Sequence, residues 1–390
     1  MKIVGRRIHI VGSAKTDAPR EELVYAHEVI ALLTERLAEA GASFVIQFGK
    51  EPRSGSGGDD PTQPAIIFDW TVAETLGRLI ESTRIQPSTE NGPLIACITT
   101  EKTERQIPPE RMTLWDRLIG FGAVLPQHLS GWSSGAVRRQ MQAPLGDVLI
   151  CLSGGEGVEH SATQYALQSK PVIPLDLQLG ASCNDGRGGA AMLFEKMRAH
   201  PERFVRLDTP DLAGGLLAQM QTRGGYRPAA EVVSAIFKLL DALASPTVFY
   251  VRMLNRELAD FPDVERYFRE AVDPVVRSRG YEPCEMGAVE NTNAWMNPQI
   301  FESIRQAALT IVDLTGVRPN CLIELGYACG LGKRVLITAR KDTVSPFDIA
   351  PIETRSWNLV DGRDELIAEF EDYWRRNINR PPLALPPSLL

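Results

Sequence analysis

The 390-residue sequence predicts an α/β protein made of two Rossmann-like domains in tandem, each a doubly wound, mainly parallel sheet. Three observations carry this. Short apolar runs alternate with stretches whose apolar residues recur at helical spacing. The alternation stops at Ser245-Pro246, where proline disfavours a continuing helix, and then starts again. The length also exceeds what one hydrophobic core usually serves. The domains are therefore set at 1–245 and 246–380, with 381–390 a proline-rich tail.

In the first domain Arg7–Gly12 reads as a strand, and Glu21–Ala40 repeats Leu23, Ala26, Ile30, Leu33 and Leu37 at helical spacing before Gly41 stops it. Ser43–Phe48 returns as a strand, and Arg53–Pro61 is too rich in Gly and Ser for regular structure. Strand-like Ala65–Phe68, helical Thr71–Arg84, strand-like Leu94–Thr99, helical Pro108–Ile119 and Ser133–Gln142, and the buried-type strand Asp147–Leu152 follow. A Gly-rich loop, Asp176–Gly189, leads to three helical stretches, the last Ala229–Ala244. The second domain reads as strand Thr247–Met253, helix Asp263–Arg279, strand Tyr281–Met286, helix Pro298–Ala308 and strand Leu309–Leu314. Helix Cys321–Gly330, strand Arg334–Thr338, a last strand after Pro346–Ile349 and helix Arg363–Arg375 complete it.

Composition narrows the function. The formal net charge of −7 is spread evenly, which argues against a phosphate-backbone binder, so no nucleic-acid partner is expected. Mean hydropathy is −0.13 and no apolar run approaches the ~18 residues of a spanning helix, so no membrane partner is expected. The start, MKIVGRRIHIVGSAKTD, is strand-like and unlike a secretory leader, and the six cysteines form no CxxC pair; a reducing cytoplasm fits both. The five histidines never pair at metal-ligand spacing, so no metal is expected. All lie at or before His200, so catalysis in the second domain must rest on carboxylates, tyrosine, lysine or backbone groups.

Two constellations carry chemistry. Cys151–His160 (CLSGGEGVEH) sets glycines between a strand and a helix, where backbone N–H groups and a helix N-terminus bind anions; the alternative is a tight turn without a ligand. With Lys170–Asp176 (KPVIPLD) and Ile10–Ser13 (IVGS), it resembles the LOG/SMF/DprA-like (SLOG) superfamily over most of residues 5–200. That resemblance implies a domain binding a nucleotide-derived second messenger through Gly12, Ser13, Gly154, Gly155, Gly157, Glu159, Asp176 and Arg187, the last otherwise a solvated loop arginine. Ser153 stands at the proline position of the LOG-type motif, Val158 at the threonine position, and the acid falls early at Glu159 or is displaced by His160. These departures weaken hydrolysis more than binding.

In Ile311–Ile337 (IVDLTGVRPNCLIELGYACGLGKRVLI), Asp313 closes an apolar strand, Asn320 is placed to cap the next helix, and Glu324 falls in the first turn. Two carboxylates at one crevice suit glycosidic C–N cleavage, whose oxocarbenium-like sugar a carboxylate stabilises or traps. The alternatives are a first-turn stabiliser for Glu324 and an Asx-type turn for Asp313. The segment resembles nucleoside 2-deoxyribosyltransferases and the TIR-like NAD-cleaving domains of bacterial defence, over residues 246–360. By that resemblance Glu324 is the catalytic glutamate and Asp313 contacts ribose or base. Phe249 stands where the transferases have tyrosine, with Tyr250 beside it, and Arg318 replaces their second aspartate; that arginine suits a phosphate. Tyr250, Arg252, Asn320, Arg318 and Trp295 are the candidate substrate contacts. Arg252 either clamps a diphosphate or pairs with an acid, and Trp295 and Trp357 either stack on a base or cover a sheet edge.

Together the resemblances imply a defence protein whose first domain senses a nucleotide-derived signal and whose second hydrolyses NAD as substrate, without a cofactor, as a homo-oligomer once activated. The alternatives are a non-enzymatic nucleotide sensor or adaptor, and a nucleoside or nucleotide N-glycosidase or deoxyribosyltransferase.

Overall fold

The computed structural model describes residues 3–55, 60, 62–128, 135–177, 179, 189–209, 212–221, 227–285 and 297–380, the side chain at 297 excepted. Two compact units form, divided between Ala244 and Ser245. Each is an α/β sheet flanked by helices.

The first unit runs β1 (Arg7–Ser13), α1 (Arg20–Glu39), β2 (Ser43–Val45), α2 (Asp69–Glu81), the two-residue strands β3 (Ser88–Thr89) and β4 (Gly92–Pro93), and β5 (Ile95–Thr99). It continues with α3 (Glu101–Arg105), α4 (Pro109–Gly120), β6 (Val124–His128), α5 (Gly135–Gln142), β7 (Val148–Ser153), α6 (Glu156–Leu167) and β8 (Val172–Leu175), then α7 (Gly189–Ala199), α8 (Leu212–Met220) and α9 (Ala229–Ala242). The sheet order is β6-β5-β2-β1-β7-β8, every pairing parallel. Alternate residues of each strand serve opposite faces: Ile8 and Ile10 of β1 join Val148, Ile150 and Leu152 of β7 in one core with α1 and α9, while Leu149 and Cys151 meet Val158, Ala162 and Tyr165 of α6 on the other. Because the chain leaves β1 toward β2 and later returns to β7, the switch point of this sheet lies between β1 and β7.

Three expectations change here. Ala65–Phe68 is not a sheet strand; Ala65 and Ile67 make only isolated antiparallel bridges to Arg53 and Ser13, and the segment crosses the end of β1, where the Ala14 N–H donates to the Ile66 carbonyl at 2.8 Å. Edge strand β6 was missed because Pro126 interrupts its apolar run; an edge strand with one neighbour tolerates the lost donor. The strand expected over Ser43–Phe48 pairs only over Ser43–Val45, although the Ile46 N–H still reaches the Ala96 carbonyl at 3.1 Å.

The second unit runs β9 (Thr247–Val251), α10 (Phe261–Tyr267), a π-turn (Phe268–Val272), α11 (Asp273–Ser278), β10 (Glu282–Glu285), α12 (Asn297–Gln306) and β11 (Leu309–Asp313). Next come α13 (Pro319–Gly330), β12 (Val335–Arg340), β13 (Thr354–Trp357) and α14 (Arg363–Asn377). Pro274, which has no N–H to donate, follows the widened turn that splits the single helix expected over Asp263–Arg279. The order β10-β9-β11-β12-β13 is again all parallel, with the switch point between β9 and β11. Val248 and Tyr250 pack with α10, the π-turn and α14 on one face; Phe249 and Val251 pack with Ile304 of α12 and Cys321, Leu325 and Ala328 of α13 on the other. Among the described residues no helix is long and apolar enough to cross a membrane.

Candidate functional site

At the switch point of the first sheet, Gly12 and Ser13 end β1 beside Leu152 and Ser153 of β7. A Cβ on Gly12 would overlap the Leu152 carbonyl oxygen, so this glycine lets two strands close up rather than making room for a ligand. Gly12→Ala is expected to destabilise the unit by about 1–3 kcal/mol, read in denaturant melts. The Gly154 N–H donates to the Ser13 carbonyl at 2.7 Å, which fastens the turn to β1. Ser153 and Gly154 both have positive φ (45° and 71°), Gly155 caps α6, and Gly157 lies in its first turn. The N–H groups of Glu156 and Gly157 have no intrahelical acceptor at these positions, so they are available at the mouth of the turn.

The expected ligand set divides. Glu159 accepts the Gly189 N–H at 2.7 Å, and Gly189 (φ 60°) sits so close to the Ser153 and Gly154 carbonyl oxygens that a Cβ would overlap both. Glu159 therefore anchors the start of α7 and is a structural contact, not a ligand contact. Asp176 is fully buried just past the end of β8. Arg187 lies outside the described residues.

Two residues that the sequence reading passed over complete this site. Arg138 and Arg139 of α5 bring their guanidinium groups to one spot: nitrogens of Arg139 and Arg138 lie 3.2 and 3.9 Å from where a Gly135 Cβ would stand. The same Arg139 nitrogen lies 3.4 Å from the corresponding point on Gly157, over the first turn of α6. The Nε atoms of both arginines are buried and have no hydrogen-bond partner, and no carboxylate among the described residues pairs with either. Burial pushes both pKa values down, and the Arg139 charge adds to the shift of Arg138. His160, on α6, is likewise pushed down by burial and by Arg139. The signal that would have found the pair is an Arg-Arg step in a short amphipathic helix just before the glycine strand; alone, such a step reads as a solvated face.

In the second unit, α13 begins at Pro319, a favoured first-turn residue, with Arg318 as its N-cap. This start, two residues ahead of the expected one, corrects two expectations. Asn320 lies inside the helix and makes no cap, and Glu324 lies in the second turn, not the first. Glu324 is half-buried without a hydrogen bond or ion pair among the described residues, and burial alone pushes its pKa up to about 7. Arg318 and Asn320 are exposed near the start of the same helix.

The remaining expected contacts belong to the fold. Asp313, 2% exposed, accepts hydrogen bonds from the Thr315 N–H (3.0 Å), Thr338 Oγ1 (2.7 Å) and Trp357 Nε1 (2.9 Å). It joins the ends of β11, β12 and β13 and does not face a crevice. Tyr250 donates to Asp273 at 2.8 Å on the face of the sheet opposite α13. Arg252, only 5% exposed, pairs with Glu265 at 2.6 Å and Glu285 at 2.7 Å and lies over the Phe268 ring, so it is the acid-paired arginine and not a diphosphate clamp. Trp357 is buried, stacked on Tyr267 at 4.5 Å. Trp295 lies outside the described residues. The two-carboxylate crevice thus reduces to Glu324.

Comparison with known proteins places the chain. The family model described as "ATP nucleosidase Cap17-like, N-terminal" matches residues 3–240. The chain belongs to this Cap17-like N-terminal family. Two curated relatives, both named ATP nucleosidase Cap17 and both from Escherichia coli, one of them from strain KTE188, are 22% identical over 347 residues. The alignment covers 84% of this chain, and the chain spans 65% of the relatives' length. Among solved structures, a CMP N-glycosidase of Clostridium botulinum aligns with a TM-score of 0.25 at 16% identity, over 33% of this chain and 98% of its own. A UDP-N-acetylglucosamine 2-epimerase of Listeria monocytogenes aligns with a TM-score of 0.23 at 12% identity, over 96% and 91%.

Proposed function

We propose that this Cap17-like protein binds a nucleotide at the α6 turn of its first unit and hydrolyses the N-glycosidic bond of an adenine nucleotide with Glu324 of its second. The observation that carries the reading is the state of Glu324, a half-buried carboxyl with no partner among the described residues and a pKa of about 7. A desolvated acid poised near neutral pH is the usual condition of a catalytic carboxyl. Two substrates fit. NAD is the substrate implied by the likeness of Ile311–Ile337 to TIR-like domains, and ATP is the one named for the E. coli relatives. With NAD, the bond from C1′ of the ribose to the nicotinamide nitrogen breaks, a water oxygen joins C1′ and sheds a proton to solvent, and the ionised carboxylate stabilises the oxocarbenium-like sugar; with ATP, the protonated carboxyl gives its proton to the leaving adenine, and the water that joins C1′ returns a proton to the carboxylate.

Incubation with NAD and, separately, with ATP, followed by chromatography of free nicotinamide and adenine, tests this. The pH profile then separates the substrates. Nicotinamide leaves without being protonated, so a rate that depends on ionised Glu324 rises with pH through about 7. Adenine leaves more readily when protonated, so a rate that depends on Glu324 as the acid falls with rising pH through the same value. Release of neither base, with or without added nucleotides, rejects the enzyme reading.

A second reading, a nucleotide sensor without glycosidase activity, is favoured by two arginines of the second unit that are already paired with acids. Arg252 holds Glu265 and Glu285, and Arg340 holds Asp260, Asp263 and Asp342. It predicts that ATP or NAD raises the melting temperature and stays intact. A role in defence and ligand-driven assembly are proposed on the SLOG and TIR-like resemblances alone.

A further inference from the structure

We infer that β13 of the second unit is an interaction surface for a second copy of this chain, whose own β13 adds edge to edge as an antiparallel strand across a two-fold axis at Ser356. The two parallel sheets end in four edge strands, β6 and β8 in the first unit and β10 and β13 in the second. In a parallel ladder alternate residues turn N–H and C=O to the same neighbour, so the other residues of an edge strand present theirs outward. Hydrogen bonds show which residues these are. The Ala123 carbonyl accepts the Ile95 N–H at 2.8 Å, so Val124, Pro126 and His128 of β6 face out. The Pro171 carbonyl accepts the Leu149 N–H at 3.0 Å, so Val172 and Pro174 of β8 face out. The Glu282 N–H donates to the Pro246 carbonyl at 2.9 Å, so Pro283 of β10 faces out. Each of these edges thus carries a proline at an outward position, where it removes an N–H that an added strand would need.

β13 has no such block. The Trp357 carbonyl accepts the Lys341 N–H at 2.9 Å, which turns Arg355 and Trp357 toward β12 and Thr354 and Ser356 toward the open edge. Ser356 is exposed, and the outward main-chain groups of both residues have no partner among the described residues. The strand is also held in place for pairing: the Tyr373 hydroxyl accepts the Ile337 N–H at 2.9 Å and donates to the Glu353 carbonyl at 3.0 Å. Residues 381–390 do not suit this edge, because prolines at 381, 382, 386 and 387 break every run of N–H groups after three residues. A second β13 does suit it, and charge selects the register. With the axis at Ser356 the two serines exchange a pair of hydrogen bonds, Arg355 stands opposite the partner's Trp357, and no like charges oppose one another. With the axis at Arg355 two arginines would stand directly opposite, which destabilises a strand pair. Each Arg355 is already paired with Glu369 on the face of α14, so its charge stays off the edge.

Sedimentation equilibrium of the full chain, without added nucleotide, tests the inference, and a monomer–dimer equilibrium is expected. Ser356→Pro gives β13 the outward proline of the other edges and is expected to weaken dimerisation by about tenfold or more, with the melting temperature of the monomer unchanged. Should that variant melt lower, Ser356→Lys, which keeps the N–H but sets two charges opposite each other, must still weaken the dimer. Ser356→Cys is expected to form an inter-chain disulfide on mild oxidation that the parent chain does not form. Residues that exchange hydrogen bonds across an antiparallel pair have Cα atoms about 5.5 Å apart, within the span of a disulfide. A chain that stays monomeric, a dimer that withstands both Ser356→Pro and Ser356→Lys, or a Ser356→Cys variant that does not cross-link overturns the inference. None of these outcomes depends on base release, so the glycosidase reading stands or falls separately.

Discussion

Glu324→Gln is expected to lower base release from NAD or ATP by roughly 10²-fold or more, with the melting temperature of the protein nearly unchanged. Glutamine keeps the volume and the half-buried position but can neither ionise nor give up a proton. Because Glu324 has no hydrogen bond or ion pair among the described residues, the substitution removes no fold contact. It relieves a desolvated acid whose raised pKa already marks the charged form as unfavourable there. The sign of the linkage follows: Glu324 binds its proton more tightly folded than unfolded, so its contribution to stability is present at low pH and is lost as pH rises toward about 7. Glutamine should therefore flatten the pH dependence of stability in that window while abolishing turnover. Undiminished base release would remove Glu324 from the chemistry, and with it the assignment of the reaction to the second unit.

The sequence made both sheets legible, because parallel strands buried on two faces are written as nearly continuous apolar runs and helices as 3.6-residue repeats. Gly12, Gly154 and Gly157 were legible as a turn but not as to purpose, since a close strand approach and an anion cradle use the same residue. Strand parity would have corrected part of the second site. Tyr250 and Arg252 are two residues apart and so share a face, the one occupied by Phe268 and α14, whereas Phe249 and Val251 look toward α13. Which polar group is already satisfied could not be read. The partners of Asp313 lie 2, 25 and 44 residues away, and only the β11-β12-β13 order brings them to one carboxylate. The arginine pair was hidden for the opposite reason: its meaning lies in the acids that are absent around it among the described residues.

Asp313→Ala is expected to act on the fold where Glu324→Gln acts on turnover. The substitution leaves the Trp357 indole N–H, the Thr338 hydroxyl and the Thr315 N–H without their acceptor in a site almost closed to water. Each buried group left unpaired costs about 1–3 kcal/mol, and a cavity adds to it, so a loss of about 3–5 kcal/mol is expected in denaturant melts. The damage should spread along the sheet edge. Trp357 is both bonded to Asp313 and stacked on Tyr267, and Thr315 in turn accepts the Arg340 N–H at 2.9 Å, so one carboxylate sets the ends of three strands and the start of the loop before α13. Asp313→Asn, which retains one acceptor oxygen and nearly the same volume, should recover part of that stability. If Asp313 instead met the ribose, Asp313→Asn would melt close to the parent and lose turnover as completely as Glu324→Gln. A lower melting point with residual turnover in the folded fraction assigns the carboxylate to the sheet and leaves Glu324 alone at the chemistry.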